Sequence, residues 1–432
     1  MFEQLNFRVN YNNADYSDLR FPAADRAVLH DLGREVAEIA ALPVMAERRE
    51  LWKRHNALEQ TRPILLCDPE NGWNEIIPEA AIRCTNSVAR HWEDYLRKLV
   101  FWGREMNDDV VVEPVFNVPY VYRDRQWGVA GSARVATEKR TAELGRAYHI
   151  ETILEDFNQI KDITKPELRI DRASSDAVLA IAHELFDAAL AVRRNTVWFW
   201  SVGLTDDLVF LRGMEKLMYD VYDAPERIHE VMKIMLDGTM ERLDFLESSG
   251  LLSLNNDSSF VGSGGIGFTD FLPGKDFAGT VRTKDMWGLA ESQVTIGLSP
   301  EMFKEFIFPY QRTLMDRFGL TCYGCCEPMD ERIDIVKEEP NLRRVSVSAW
   351  ANRRLMAEKL GRRYIYSMKP SPSYLAVPNM DEEIVRASLR ETLSITRNNC
   401  VEIVMKDNHT FGNNPQNITK WVTIAREQIE AL

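Results

Sequence analysis

Leu320-Thr321-Cys322-Tyr323-Gly324-Cys325-Cys326-Glu327 is a short apolar run that stops on cysteines and a carboxylate. It follows a strong helical pattern, which makes it a strand whose C-terminal end carries chemistry, as strand ends do in barrels and open α/β sheets. Cysteine is usually a small buried hydrophobe. Three of the chain's six cysteines fall within these eight residues, with Glu327 beside them, and that clustering points instead to a reactive or metal-holding site.

Working outward, short β-branched or aromatic runs alternate with long helical patterns from about residue 109 onward, the pattern of parallel strands with crossover helices. The runs are Val110 to Asn117, Asn195 to Val202, Leu251 to Asn256, Met286 to Gln293, Leu320 to Cys326, Arg344 to Trp350, Tyr364 to Lys369 and Val401 to Asp407. Ser174 or Ser175 caps a helix over Ala177 to Val192, and Ser299-Pro300-Glu301 opens another over Met302 to Phe318. These runs predict an α/β fold, a (β/α)8 TIM barrel, over residues 109–432. An open doubly wound sheet is the competing arrangement. Residues 1–108 show charged amphipathic segments, Asp25 to His55 and Glu79 to Trp102, without strand alternation. They predict an N-terminal helical extension packed on the barrel.

The chain has 432 residues, 45% of them hydrophobic, and Lys plus Arg number 53 against 66 Asp plus Glu, a net charge of −13. That balance, with no basic run, argues against nucleic acid and anionic membrane as partners. No apolar stretch reaches the roughly 20 residues that span a bilayer, and Met1-Phe2-Glu3-Gln4 lacks a secretory layout. A cytoplasmic protein with reduced thiols is expected. Self-association into a homodimer is left open.

Barrel strands would bring their C-terminal ends to one mouth. Asn117, Asn255, Asn256, Asp257, Glu291, Gln293, Cys325, Cys326, Glu327, Ser348, Trp350, Lys369, Asp407 and His409 fall there. Zinc favours thiolate, imidazole and carboxylate, so Cys325, His409 and Glu291 or Glu327 form a candidate metal set. Cys400 precedes the last strand and belongs near the opposite rim. His183 sits in an apolar helix and reads as packing. Gly262, Gly264 and Gly267 satisfy GxGxxG but are not followed by a helix, so they read as a mobile loop over the mouth rather than a dinucleotide site. Trp198-Phe199-Trp200 reads as core filling.

With the strands placed, the chain resembles the uroporphyrinogen decarboxylase superfamily from about residue 109 to its end. The resemblance is carried by Leu211 to Met218 with Tyr222 to Glu226, by Gln293 followed by Leu298 to Phe303, by Phe308-Pro309-Tyr310, and by Asn417-Ile418. Within that superfamily, zinc-dependent corrinoid methyltransferases bind zinc through a His-x-Cys pair after the fifth strand and a cysteine after the eighth. Here the pair is Tyr323-Gly324-Cys325, so Cys325 carries over, with His409 in place of the late cysteine and a glutamate in place of the histidine. The decarboxylase branch uses an arginine-rich N-terminal motif, absent from the first 120 residues.

The resemblance therefore implies a methyltransferase moving a methyl group from a small donor to a corrinoid carried by a partner protein. Zinc would act as Lewis acid, with Glu291 or Glu327 as third ligand or proton donor. Tyr323 and Lys369 would orient substrate, and Asn255, Asn256, Trp287, Gln293 and Trp350 would line its pocket. Two alternatives stand beside it. One is a metal-free decarboxylase or lyase using Lys369, Asp257 and Tyr323. The other is a catalytically silent ligand-binding barrel.

Overall fold

The computed structural model describes residues 18–127, 152 and 154–432, so the segment Met1 to Gln4 lies outside the described residues. The strands are β1 (Ile64–Cys67), β2 (Val115–Val118), β3 (Val121–Asp124), β4 (Leu168–Asp171), β5 (Ala191–Arg194), β6 (Phe260–Val261), β7 (Gly265–Ile266), β8 (Trp287–Ala290), β9 (Leu320–Tyr323), β10 (Leu342–Val347), β11 (Ile365–Met368) and β12 (Cys400–Met405). Six of them form one parallel sheet in the order β1-β12-β11-β10-β9-β8. The fold is mixed α/β. The ladder runs through these six strands without closing into a ring.

Five of the eight expected runs enter this sheet. Val110 to Asn117 only overlaps β2, which pairs in parallel with β5. Asn195 to Val202 lies just beyond β5. Leu251 to Asn256 forms no strand, although Asn255 imitates one: its Oδ1 accepts from the Trp287 amide at 2.9 Å and its Nδ2 donates to the Trp287 carbonyl at 3.0 Å. The sheet's remaining strand, β1, lies in the block expected to be purely helical. Its four residues are all buried, and a strand covered on both faces has no polar alternation to betray it.

Around β1, helices Ala23–Ala40, Pro43–Asn56 and Ser87–Glu105 match the amphipathic segments. Ser299 Oγ caps the Met302 amide at 3.2 Å as expected, but the helix that follows is split by a π-turn at Phe303–Ile307. The helix expected from Ala177 instead spans Arg172–Phe186 and is capped by Asp171, and its last residues belong to β5. Among the described residues no helix is long and apolar enough to cross a membrane.

The glycine-rich segment departs most from its reading as a mobile loop. It folds back as the hairpin β6–β7 and packs against the sheet face that carries Cys322, Arg344 and Val404. Asn56 Nδ2 donates to the carbonyls of Ile266 and Phe268, both at 2.8 Å, and Trp287 Nε1 donates to Gly267 at 2.9 Å. Only glycine fits so close an approach. A Cβ on Gly265 would lie 2.4 Å from Arg344 Cζ, and one on Gly267 would lie 1.9 Å from the Asn255 carbonyl oxygen. Because that second obstacle is backbone, Gly267→Ala is expected to cost at least about 3 kcal/mol in a urea titration. A loss below about 1 kcal/mol would show that the hairpin is not seated there.

Beneath the hairpin the sheet face is charged. Arg344 Nε donates to Glu402 Oε1 at 2.9 Å, Ser367 Oγ donates to the same oxygen, and His55 Nε2 lies 3.2 Å from Glu402 Oε2. All four side chains are buried. Buried charges persist only when paired and hydrogen-bonded, and here Arg344 of β10 reaches across β11 to Glu402 of β12, which also meets Ser367 of β11 and His55 of the helix Pro43–Asn56.

Candidate functional site

The segment after β9 turns at Gly324, where φ is +89°, and is then clamped by Glu327. One carboxylate oxygen of Glu327 accepts from the Cys325 amide at 2.8 Å, the other from the Ser292 amide at 2.8 Å. Glu327 is thus engaged in shaping the turn rather than offered to a metal. Its effect is to fix Cys325 at the end of the sheet, with its side chain buried.

Cys325 Sγ lies 3.3 Å from Ser263 Oγ, 3.5 Å from Cys326 Sγ and 3.6 Å from Lys406 Nζ. Ser263 comes from the turn of the hairpin, and Lys406 follows β12. The hydrogen bond from Cys326, with the Lys406 charge behind it, brings the Cys325 thiol down to about 7 against the effect of burial. Cys326 moves the opposite way, raised by its bond to Cys325 and by burial. A thiolate, not a thiol, is the sulfur nucleophile, and the contacts with Cys326 and Lys406 favour the thiolate form of Cys325.

Burial alone would lower Lys406, but Cys325, Glu70 and Asp407 hold its ammonium well above the usual lysine range. Its Nζ lies 3.8 Å from Glu70 Oε1 and 3.3 Å from Asp407 Oδ1. Asp68 and Glu70 follow directly on β1. Burial raises Asp68 to about 7 and Glu70 well above the usual carboxylate range, each pushed further by neighbouring acids. Glu70 also holds a φ of +44°, rare for a residue with a Cβ, at a place where the chain must bring its carboxylate beside Lys406.

The residues expected at the site are scattered. His409 is exposed and its Nδ1 meets Asn71 Nδ2 at 2.7 Å. Glu291 is buried; its Oε2 accepts from the Gln293 amide at 3.0 Å, and its Oε1 lies 3.3 Å from Thr205 Oγ1. Burial, then Asp206 and Glu327, push its carboxyl well above the usual range. Tyr323 donates to Gln311, which bonds the Gly203 and Glu291 carbonyls, so the phenol is buried against a helix. Lys369 donates to Ser367 within the charged layer, and burial first of all lowers it to about 8. Asp257 pairs with Arg193. The acid–base trio of the lyase reading is therefore not assembled.

Asn255 and Asn256 bond the backbone at Trp287 and Leu272. Gln293 is half-buried, Trp287 is buried under the Arg344 guanidinium, and Trp350 is 79% exposed. Among the described residues no group of three or more His, Cys, Asp and Glu is arranged to hold a metal ion. Zinc does not fit the set Cys325, His409, Glu291 and Glu327. The sulfur faces an ammonium, one carboxylate is committed to two amides, and the imidazole is turned to Asn71.

Lys406, Ser263, Asp68 and Glu70 are the site residues that sequence reading passed over. Lys406 carried a signal, since a lysine closing an otherwise buried strand two residues beyond Val404 shares the inward parity of Glu402. Asp68 and Glu70 would have followed from recognising β1.

No family model matches the chain, and no curated protein does. Among solved structures it is similar to a methyltransferase from Methanosarcina mazei, with a TM-score of 0.48 and 11% identity, covering 88% of this chain and 98% of that one.

Proposed function

We propose that the chain closes as an eight-stave (β/α)8 barrel and acts at its mouth as a methyltransferase with Cys325 as the reacting sulfur. Support for closure comes from bonds at both edges of the six-stranded sheet. The Asp109 amide donates to Leu65 of β1 at 2.8 Å, and the Val202 amide donates to Leu289 of β8 at 2.8 Å. Between these seams, β2 pairs with β5 and the Asn195 amide donates to Val118 at 3.1 Å. Residues 109–118 and 191–202 thereby act as the two missing staves, in chain order.

The observation that carries the activity is the buried Cys325 sulfur, fixed by Glu327 and held 3.6 Å from Lys406. In this reading the thiolate pair forms a bond to the donor's methyl carbon as the carbon–heteroatom bond breaks, and the heteroatom leaves with the bonding pair. The acceptor that relieves Cys325 of the methyl group is the reduced corrinoid of a partner protein, as the resemblance implies. Lys406 keeps the sulfur anionic between turnovers. An ether or thioether donor would also need a proton, for which Asp68 and Glu70 are the nearby carboxyls.

The test is peptide mass spectrometry after incubation with deuterated methyl ethers, methyl thioethers and methylated amines, without acceptor. A labelled methyl group on Cys325 from at least one donor is expected. No label from any donor, together with a full equivalent of zinc that Cys325→Ser removes, would overturn the thiolate reading in favour of a metal centre.

A further inference from the structure

Cys326 is the sulfur at this strand end that methyl transfer leaves without a part. Its Sγ lies 3.5 Å from Cys325 Sγ and 3.4 Å from Asp407 Oδ2, and unlike the buried Cys325 it is partly open to solvent. The other four cysteines are buried free thiols, and two of them meet partners of another kind, Cys322 at 3.7 Å from Arg344 Nη1 and Cys400 at 3.4 Å from His55 Nδ1. We propose that Cys325 and Cys326 form a peroxide-reactive pair, in which Cys325 is oxidised first and Cys326 resolves it into a disulfide between neighbouring residues. This goes beyond the methyl-transfer reading and does not need it, since it rests on the placement of the two sulfurs and of the groups beside them.

Cys325 is the attacking sulfur because the Lys406 ammonium, 3.6 Å away, stabilises its thiolate, the form that peroxides oxidise. The thiolate pair forms a bond to one peroxide oxygen as the O–O bond breaks, and the departing hydroxide takes a proton from Lys406 to leave as water. Cys325 is then a sulfenic acid. Cys326 sits where a resolving thiol must, with a carboxylate to receive its proton; Asp407 holds a φ of +60° at that point, a conformation uncommon for a residue with a Cβ. As Asp407 takes the proton, the Cys326 sulfur bonds to the Cys325 sulfur, the S–O bond breaks, and the hydroxide leaves as water with the proton that Asp407 held. Lys406 regains its own from solvent. One peroxide is thereby reduced to two waters while the two sulfurs are oxidised to a disulfide.

The link is suited to reopening. From 3.5 Å, an approach of about 1.5 Å brings the sulfurs to bonding distance. The peptide between the two residues is trans, which sets their Cα atoms about 3.8 Å apart, closer than the roughly 4.4–6.8 Å usual for a disulfide. A bond so placed is strained and easily reduced. It would also add little as a staple, because joining neighbours closes almost no loop in the unfolded chain. Its effect is chemical: a sulfenic acid without a resolving thiol goes on to sulfinic and sulfonic acids, which reductants do not reverse. The pair is therefore a reversible brake on whatever chemistry Cys325 performs.

The test is brief treatment of the full chain with hydrogen peroxide, followed by unfolding in an alkylating agent and peptide mass spectrometry. The peptide carrying both cysteines is expected to lose two hydrogens and resist alkylation, and both thiols are expected to return with dithiothreitol. In Cys326→Ser the same treatment should leave Cys325 with two or three oxygens, and at least about tenfold less of its thiol should return. A parent chain whose pair stays fully alkylatable, or whose Cys325 gains oxygens as readily as in Cys326→Ser, overturns the proposal. The parent's own disulfide decides the matter even if the variant fails to fold. Disulfide formation in a chain that methylates Cys325 from no donor leaves the pair standing and overturns the function instead; methylation of Cys325 in a chain whose pair peroxide cannot close does the reverse.

Discussion

Replacing Cys325 by serine is expected to lower methyl transfer by about a thousandfold or more, whereas Cys400→Ser should leave it within about twofold of the parent. At about 1.4 kcal/mol per factor of ten, the first loss amounts to roughly 4 kcal/mol of transition-state stabilisation. The reason lies in the proton. Serine placed 3.6 Å from Lys406 remains a hydroxyl, because the neighbours that bring a thiol down to about 7 start there from a much more basic group. Volume is nearly conserved, and the Glu327 clamp holds the backbone of residue 325 rather than its side chain, so the variant should fold as the parent does. Cys400 is the control because it is also buried but sits with His55, its Sγ 3.4 Å from His55 Nδ1, under the charged layer. Single-turnover rates with a labelled donor give the comparison, and equal losses in the two variants would mean that the reacting group is neither.

What the sequence disclosed and what it hid divide along physical lines. β8 through β12 were legible because each strand is followed by a helical pattern and ends on polar residues. β1 was not, since Ile64-Leu65-Leu66-Cys67 is too short and too uniformly apolar to show a period, and its partner β12 lies more than three hundred residues away. Missing β1 also hid Asp68 and Glu70, which have meaning only as residues at a strand end. Cys325 was legible from its cluster. Its partners were less so: Lys406 showed only the parity it shares with Glu402, and Ser263 belonged to a segment whose glycines were read as freedom to move. The glycines instead permit contact, as the clash of any Cβ at Gly265 with Arg344 shows. His409 stood at the expected position in sequence, but placement after a strand does not fix direction, and the ring faces Asn71.

The other large effect concerns stability. Arg344→Met is expected to destabilise the fold by about 3–5 kcal/mol, a large part of the 5–15 kcal/mol that holds a typical domain together. The loss comes from what the substitution leaves behind. Glu402 is fully buried, and burial works against its charge, yet Arg344 first and His55 after it keep its carboxyl well below the usual range. Without the guanidinium, the carboxylate retains only His55, Ser367 and the more distant Lys369. A second change, Glu402→Leu on the Arg344→Met background, should recover much of the loss, because two apolar side chains leave no uncompensated charge. The pH dependence follows from the same groups. Glu402 has a lowered folded value, so its contribution is present above the unfolded carboxylate value of about 4.3 and is lost as pH falls through the folded one. His55, raised to about 9 by Cys400 and Glu402 against burial, contributes fully below its unfolded value of about 6.5 and loses that contribution as pH rises through 9. Urea titrations should therefore place maximal stability between about pH 4.5 and 6.5, with a decline toward pH 9 that His55→Gln flattens. If Arg344→Met costs less than about 1 kcal/mol and the alkaline decline persists in His55→Gln, the buried layer is not what ties β10, β11 and β12 to the helix Pro43–Asn56.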